Sequence, residues 1–203
     1  MKRFVCLGIT SFVISIAIKA QDQGFYADGY LLYNKDTSWC KIWFDPSNYN
    51  FSDSLITWNK DEEKVIPLIN NKELAGFGII QKGYKMDFGK IRLQGLKSWV
   101  YTYTKKLVTG AVELYELPFT EMKKDPGSMK LLREEFAAYY IARTDKPTSD
   151  FPTQLKQLRK KKIAPFLPDY PELKEMNDVM TAEEVAGLIR RYNAWFKEKS
   201  PDK

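Results

Sequence analysis

From Phe25 to Leu117 the chain repeats one pattern: a short run rich in Tyr, Trp, Phe, Ile and Val, then a few turn-forming residues. Such punctuation is the signature of antiparallel β-structure, because each run is long enough for a strand and each gap is short enough for a connection between neighbours. The pattern predicts strands over 27–33, 39–44, 54–58, 64–69, 77–81, 90–93, 99–107 and 111–117. Turns fall at 34–38, 45–48, 59–63 and 109–110, and 70–75 reads as a single helical turn.

After Phe119 the composition shifts. A charged turn over 121–127 leads into SMKLLREEFAAYYIAR, residues 128–143, which opens with helix formers and ends with β-favouring residues. Propensity leaves helix and strand equally open there. Residues 145–152 hold two prolines among small polar residues and read as a linker. Two helices are expected to finish the chain, the first over 153–163. In the second, Thr181 and Glu184 form a capping box, and Val185, Leu188, Ile189, Tyr192, Trp195 and Phe196 share one face. Between the two, 171–176 has room for one turn. The expected fold class is α+β: a β-rich domain over 21–143, whose antiparallel sheet curls toward a barrel, and a C-terminal helical segment over 144–203 packed on it.

The chain opens MKRFVCLGITSFVISIAIKA, with Lys2 and Arg3 before an uncharged, mostly apolar run and Ala20 ahead of the polar Gln21. This is the pattern of a cleavable secretory signal over 1–20. A spanning helix needs roughly 18 or more apolar residues, and here the run is shorter and interrupted by Gly8, Thr10, Ser11 and Ser15. Removing the segment takes away Lys2, Arg3 and Lys19 and no acid, leaving 29 basic and 26 acidic side chains, a net +3 in place of +6. So small an excess gives no reason to expect nucleic acid as a partner. The product is expected to be a soluble periplasmic or secreted protein without a further transmembrane span. Cys40 is then left without a thiol partner, and strand alternation predicts it buried and inert beside Ile42 and Phe44.

The chain contains no histidine. That removes the usual base of a hydrolytic triad and the commonest metal ligand, and one remaining cysteine excludes a thiolate zinc site. Carboxylates could still supply an acid and a base, but Asp61, Glu62 and Glu63 fall in a turn, and Glu183 and Glu184 sit in the first turn of a helix, where the dipole favours anions. Gly76-Phe77-Gly78 lacks the spaced glycines of a phosphate cradle. The basic run Arg159 to Lys162 reads as a solvated helix end. No catalytic, cofactor-binding or metal-ligating residue is expected.

Aromatic rows remain. In a strand over 39–44, Trp39 and Trp43 share a face with Lys41, and in one over 99–107 Trp99, Tyr101 and Tyr103 do the same. Such rows can form a ligand platform that stacks on sugar rings or a peptide, or they can be cross-strand core pairs. Core packing is expected for most of the set, with Trp43 the exception because it nears its strand end at Asp45-Pro46.

The order of several short motifs is distinctive: a leader ending Ala20-Gln21, the pair Gly29-Tyr30, the segment Gly76-Phe77-Gly78, the strand Leu114-Tyr115-Glu116, then Asp169-Tyr170-Pro171-Glu172-Leu173 and Tyr192-Asn193. In this order the chain resembles a broad group of uncharacterised exported proteins common in Bacteroidetes. The resemblance implies an exported protein and brings no activity and no functional residues. Relatives commonly hold a cysteine where this chain has Tyr170. Asp53-Ser54-Leu55 matches the three-residue pattern of O-glycosylation in that phylum, which makes Ser54 a candidate acceptor. The expected function is that of a non-catalytic envelope protein acting as a binding or assembly module for a protein partner. A carbohydrate or cell-wall binder using the Trp and Tyr rows is the alternative, ahead of a carboxylate-based hydrolase.

Overall fold

The computed structural model describes residues 24–33, 36–45, 54–59, 62–68, 71, 73–94, 99–124, 127, 131–145 and 152–199, with the side chains of 92–94, 99, 100, 120, 124, 132 and 133 excepted. The expected signal segment over 1–20 lies outside them.

Ten strands form one antiparallel sheet: β1 (Phe25–Tyr33), β2 (Thr37–Phe44), β3 (Ser54–Asn59), β4 (Glu62–Pro67), β5 (Leu74–Gln81), β6 (Tyr84–Gln94), β7 (Trp99–Val108), β8 (Val112–Lys124), β9 (Leu131–Arg143) and β10 (Thr153–Leu155). Their spatial order is β10-β9-β8-β7-β6-β5-β1-β2-β3-β4, so the sheet is unclosed, with β10 and β4 at its edges. A short helix α1 (Lys160–Ile163), 3-10 turns at Ala164–Phe166 and Pro171–Glu175, and the long helix α2 (Ala182–Lys199) complete the described chain. No described helix is long and apolar enough to cross a membrane.

One open local choice is decided and two local expectations are corrected. The stretch left open between helix and strand is a strand over Leu131–Arg143: β9 pairs with β8 from Val112↔Arg143 to Lys124↔Leu131, and that ladder outweighs the helix propensity of LREE. The helix expected over 153–163 is reduced to α1, because Thr153, Gln154 and Leu155 add to the β9 edge instead, opposite Ile141, Tyr140 and Tyr139. Helix α1 has no side-chain cap and no acid in its first turn, so nothing extends it toward its N-terminus. The helical turn expected over 70–75 is a side-chain turn: Asn71 Oδ1 accepts the N–H groups of Glu73 (3.1 Å) and Leu74 (3.0 Å) and launches β5 at Leu74. Strand β6 is also much longer than predicted. It starts at Tyr84, directly after a tight hairpin whose Lys82 and Gly83 both have positive φ (46° and 83°).

By register, one face of the sheet carries Ile42, Phe77, Phe88 and Tyr103 in its β1–β7 part and Val108, Leu114 and Ile141 in its β7–β9 part. We call this the core face. At the β7–β9 end it packs on Leu188, Ile189 and Tyr192 of α2 and on Ile163 and Leu167. Over β1–β7 the corresponding cluster, with Ile42, Leu55, Leu74 and Phe77 fully buried, includes no helical residue among the described residues. Its described members come from strands β1–β3 and β5–β7 and from Leu68, just after β4.

Polar anchors hold α2 on the sheet. Arg143, 7% exposed, donates to both Asp145 carboxylate oxygens (2.8 and 2.6 Å), to Phe166 O (3.1 Å) and to Tyr192 Oη (3.2 Å). Asn193 acts as a surrogate strand for Val112, accepting its N–H (2.9 Å) and donating to its carbonyl (2.8 Å). The predicted capping box is present: Thr181 N–H donates to Glu184 Oε2 (2.7 Å), and Glu184 N–H donates to Thr181 Oγ1 (3.2 Å).

Strands β7 and β8 part beyond Lys105↔Glu116, while β7 continues along β6 to Trp99. Glu116 directs its carbonyl toward β7, where Thr104 Oγ1 donates to it (2.5 Å). Two residues on, Pro118 presents its nitrogen to the same side and has no hydrogen to give, and the β7–β8 ladder ends at Lys105↔Glu116. From Pro118↔Ala137 to Lys124↔Leu131, β8 and β9 continue as a two-stranded arm.

Candidate ligand-binding surface

The opposite face of β1–β4 is aromatic. Strand alternation and register place Tyr26 and Tyr30 of β1, Trp39 and Trp43 of β2, and Trp58 of β3 on it together. Trp39 is 65% exposed, Trp43 38% and Trp58 39%. Rings of this size normally bury most of their area, so three on one face of adjoining strands form a concentrated apolar surface.

The rings fall into two groups. In the first, Tyr26 lies edge-on to Trp43 (5.2 Å between centroids) and to Trp58 (5.9 Å). Its hydroxyl donates to Glu63 Oε2 at 2.5 Å, which ties β1 to β4 across two intervening strands and holds the phenol above its ordinary pKa. In the second, Tyr30 is tilted against Trp39 at 5.4 Å and donates its hydroxyl to Asp87. Lys85 Nζ sits 5.0 Å from the Tyr30 ring centroid and 3.3 Å from Asp87. The Tyr30 ring lies flat against β5 because Gly78 is beneath it: a Cβ there would fall 2.2 Å from Tyr30 Cζ. Lys41, exposed, stands between Trp39 and Trp43 on β2 and opposite Trp58 on β3. The surface thus combines ring faces with ammonium and carboxylate groups of both signs.

The residues singled out by sequence do not assemble as one platform. Trp39 and Trp43 are on this surface. Tyr103 is 1% exposed in the core cluster on the other face, where its hydroxyl donates to Leu74 O (2.8 Å) and burial pushes it up to about 12. Tyr101 shares that core face, half-buried, with Lys90 Nζ 5.3 Å from its ring. The Trp99 backbone pairs with Gln94, and its side chain lies outside the described residues. Both alternations were legible. What separates the two rows is the β1-β5-β6-β7 register, which carries the parity of Tyr103 to the face of Ile42 rather than that of Trp43. Trp39, rather than Trp43, is the most exposed of the set. Tyr26, Tyr30 and Trp58 were missed: Tyr26 precedes the expected strand start at Ala27, and only the Lys41↔Trp58 pairing brings Trp58 to this face.

Ser54 is exposed as the first residue of β3, opposite Pro67. Cys40 is half-buried rather than fully buried, packed beside the strand-only core, and burial pushes its thiol up. A second polar cluster on the aromatic side of the sheet is closed on itself. Glu113, 8% exposed, accepts from the Tyr115 hydroxyl and from Lys106 Nζ (2.7 Å), and burial together with Glu113 raises the Tyr115 pKa strongly, so the phenol stays a donor. No group of three or more potential metal-ligating side chains occurs among the described residues. Comparison with protein-family models, curated proteins and solved structures finds no match to this chain.

Proposed function

We propose that this chain is an exported, non-catalytic binding module of the cell envelope that holds a glycan on the aromatic face of β1–β4. The observation that carries the reading is the joint exposure of Trp39, Trp43 and Trp58 on one face of two adjoining strands. The apolar C–H face of a pyranose stacks on such rings, while its hydroxyls accept hydrogen bonds from Lys41 and donate them to carboxylates such as Glu63 and Asp87. Charges of both signs around the rings favour a neutral, polyhydroxylated ligand over a polyanion or an anionic lipid surface. The paired strands behind the patch hold the rings in place without ligand, which limits the ordering cost of binding.

The test is binding of the mature protein to neutral oligosaccharides and cell-wall fragments by array and calorimetry, with Trp39→Ala/Trp43→Ala alongside. The double variant is expected to keep its melting temperature and lose binding. Equal binding by both proteins, or no glycan bound by the intact one, contradicts the proposal.

A further inference from the structure

Beyond the ligand face, the β8–β9 arm is a second surface that the fold of one chain does not explain. Two-stranded hairpins are marginal by themselves, yet this one parts from β7 on one side and extends past β10 on the other. Among the described residues, β10 pairs with β9 at Tyr139, Tyr140 and Ile141. Phe119, Met122 and Leu131 on the arm are 39%, 59% and 64% exposed.

The two edges of the arm differ. On β8 the outer edge begins with Pro118, which cannot donate. On β9, Tyr139 faces outward to β10, so alternation turns the backbone groups of 131, 133, 135 and 137 outward as well. This edge, LLREEFA, holds neither proline nor glycine.

We infer that the β9 edge is a dimerisation surface, on which two copies of this chain pair antiparallel about a two-fold axis through Glu134. A two-fold axis perpendicular to the sheet keeps each face with its own kind, so only registers centred on a residue are allowed. Centring on Glu134 sets Arg133 opposite Glu135 twice, Leu132 opposite Phe136 twice, and Leu131 opposite Ala137 twice. Glu134 then meets its own copy, and each carries a neutralising Lys123 at 2.5 Å from its own chain. The neighbouring registers lack this match. Centring on Arg133 sets that cation against itself and Leu132 against Glu134; centring on Glu135 sets two carboxylates together and Phe136 against Glu134. The sequence therefore selects one self-complementary pairing, and mixed charges on the arm suit a second copy better than a partner of one sign. Continuing one sheet into the other would place two ligand faces in one particle, a basis for avidity on a repeating glycan.

Sedimentation of the mature protein at tens of micromolar is expected to show a monomer–dimer equilibrium. Arg133→Glu and Glu135→Arg, each alone, should weaken the dimer about ten-fold or more. An equimolar mixture of the two should restore it, because every 133–135 contact is again of opposite sign, and so should the double variant in one chain. Should one single variant fail to fold, the other and the double variant carry the same comparison. A wild-type protein that stays monomeric at these concentrations overturns the inference, as does a dimer insensitive to both single changes or a mixture that does not recover. Glycan binding by monomeric single variants is expected to persist, which separates this inference from the proposed ligand face.

Discussion

At its β7–β9 end the sheet is covered by α2, whereas over β1–β7 the cluster on the same face includes no helical residue among the described residues. The helix-covered end is located by a few directional contacts. Arg143 reaches Asp145, Phe166 and Tyr192 at once, and Asn193 closes on the backbone of Val112. The strand-only end uses ring packing, with Phe77 stacked on Phe88 at 4.8 Å and Tyr103 against Phe77 at 5.8 Å. A helix consumes one face of a sheet and fixes its partner in a single orientation. The core face carries the buried side chains at both ends, and the far face of the strand-only end carries the exposed tryptophans of the proposed ligand surface.

Deleting the chain from Thr181 is the largest perturbation of that contrast. Each fully buried side chain of α2 contributes about 1.5–3 kcal/mol, so losing Val185, Leu188, Ile189 and Tyr192 together approaches the whole stability of a typical domain, about 5–15 kcal/mol. Circular dichroism should show no cooperative melt. A truncated protein that melts at the unchanged temperature would mean that the helix is an appendage.

Single cavities come next. Tyr192→Ala and Phe77→Ala, one in each core and both 0% exposed, should each cost about 3–5 kcal/mol by denaturant titration. Similar costs with one shared transition would show that the two ends fold as a unit. Two separable transitions would break the continuity of the sheet between them. A smaller loss, about 1–3 kcal/mol, is expected for Asn193→Ala, which strands the N–H and carbonyl of Val112. Hydrogen exchange at Val112 reads it directly and should leave β1–β5 amides untouched.

The smallest effect is electrostatic and confined to the helix-covered end. Acceptance of the Thr181 N–H and then of its hydroxyl holds Glu184 below its ordinary pKa. The stabilisation is complete above the unfolded carboxylate range and is lost as pH falls through the depressed folded value. Glu184→Gln should therefore lower stability by a constant small amount at neutral and alkaline pH and flatten the acid side of the profile.

The sequence made strand existence and face alternation readable wherever aromatic and β-branched residues alternate, and it made the capping box at Thr181 and Glu184 unambiguous. It did not make register readable. Trp58 joins Trp43 through the β2–β3 register and Tyr103 leaves it through pairings that include the distant β1–β5 one, and no local property of Trp58 or Tyr103 encodes either. Residues 128–143 show the complementary limit: LREE favours a helix locally, and only the full-length β8 partner decides for strand. Helix 153–163 failed for the related reason that an open sheet edge captured its first three residues. Polar stretches hid β6, because Lys82-Gly83 announces a hairpin through its backbone angles rather than through hydrophobicity.

The division between the two faces of the strand-only end is tested most directly by measuring melting temperature and glycan affinity together for Trp39→Ala/Trp43→Ala/Trp58→Ala and for Phe77→Ala. The account predicts a triple variant that melts within a few degrees of the parent and no longer binds, beside a Phe77→Ala protein that is strongly destabilised but still binds at temperatures where it remains folded. A triple variant that unfolds like a core mutant, or that binds as the parent does, would contradict it.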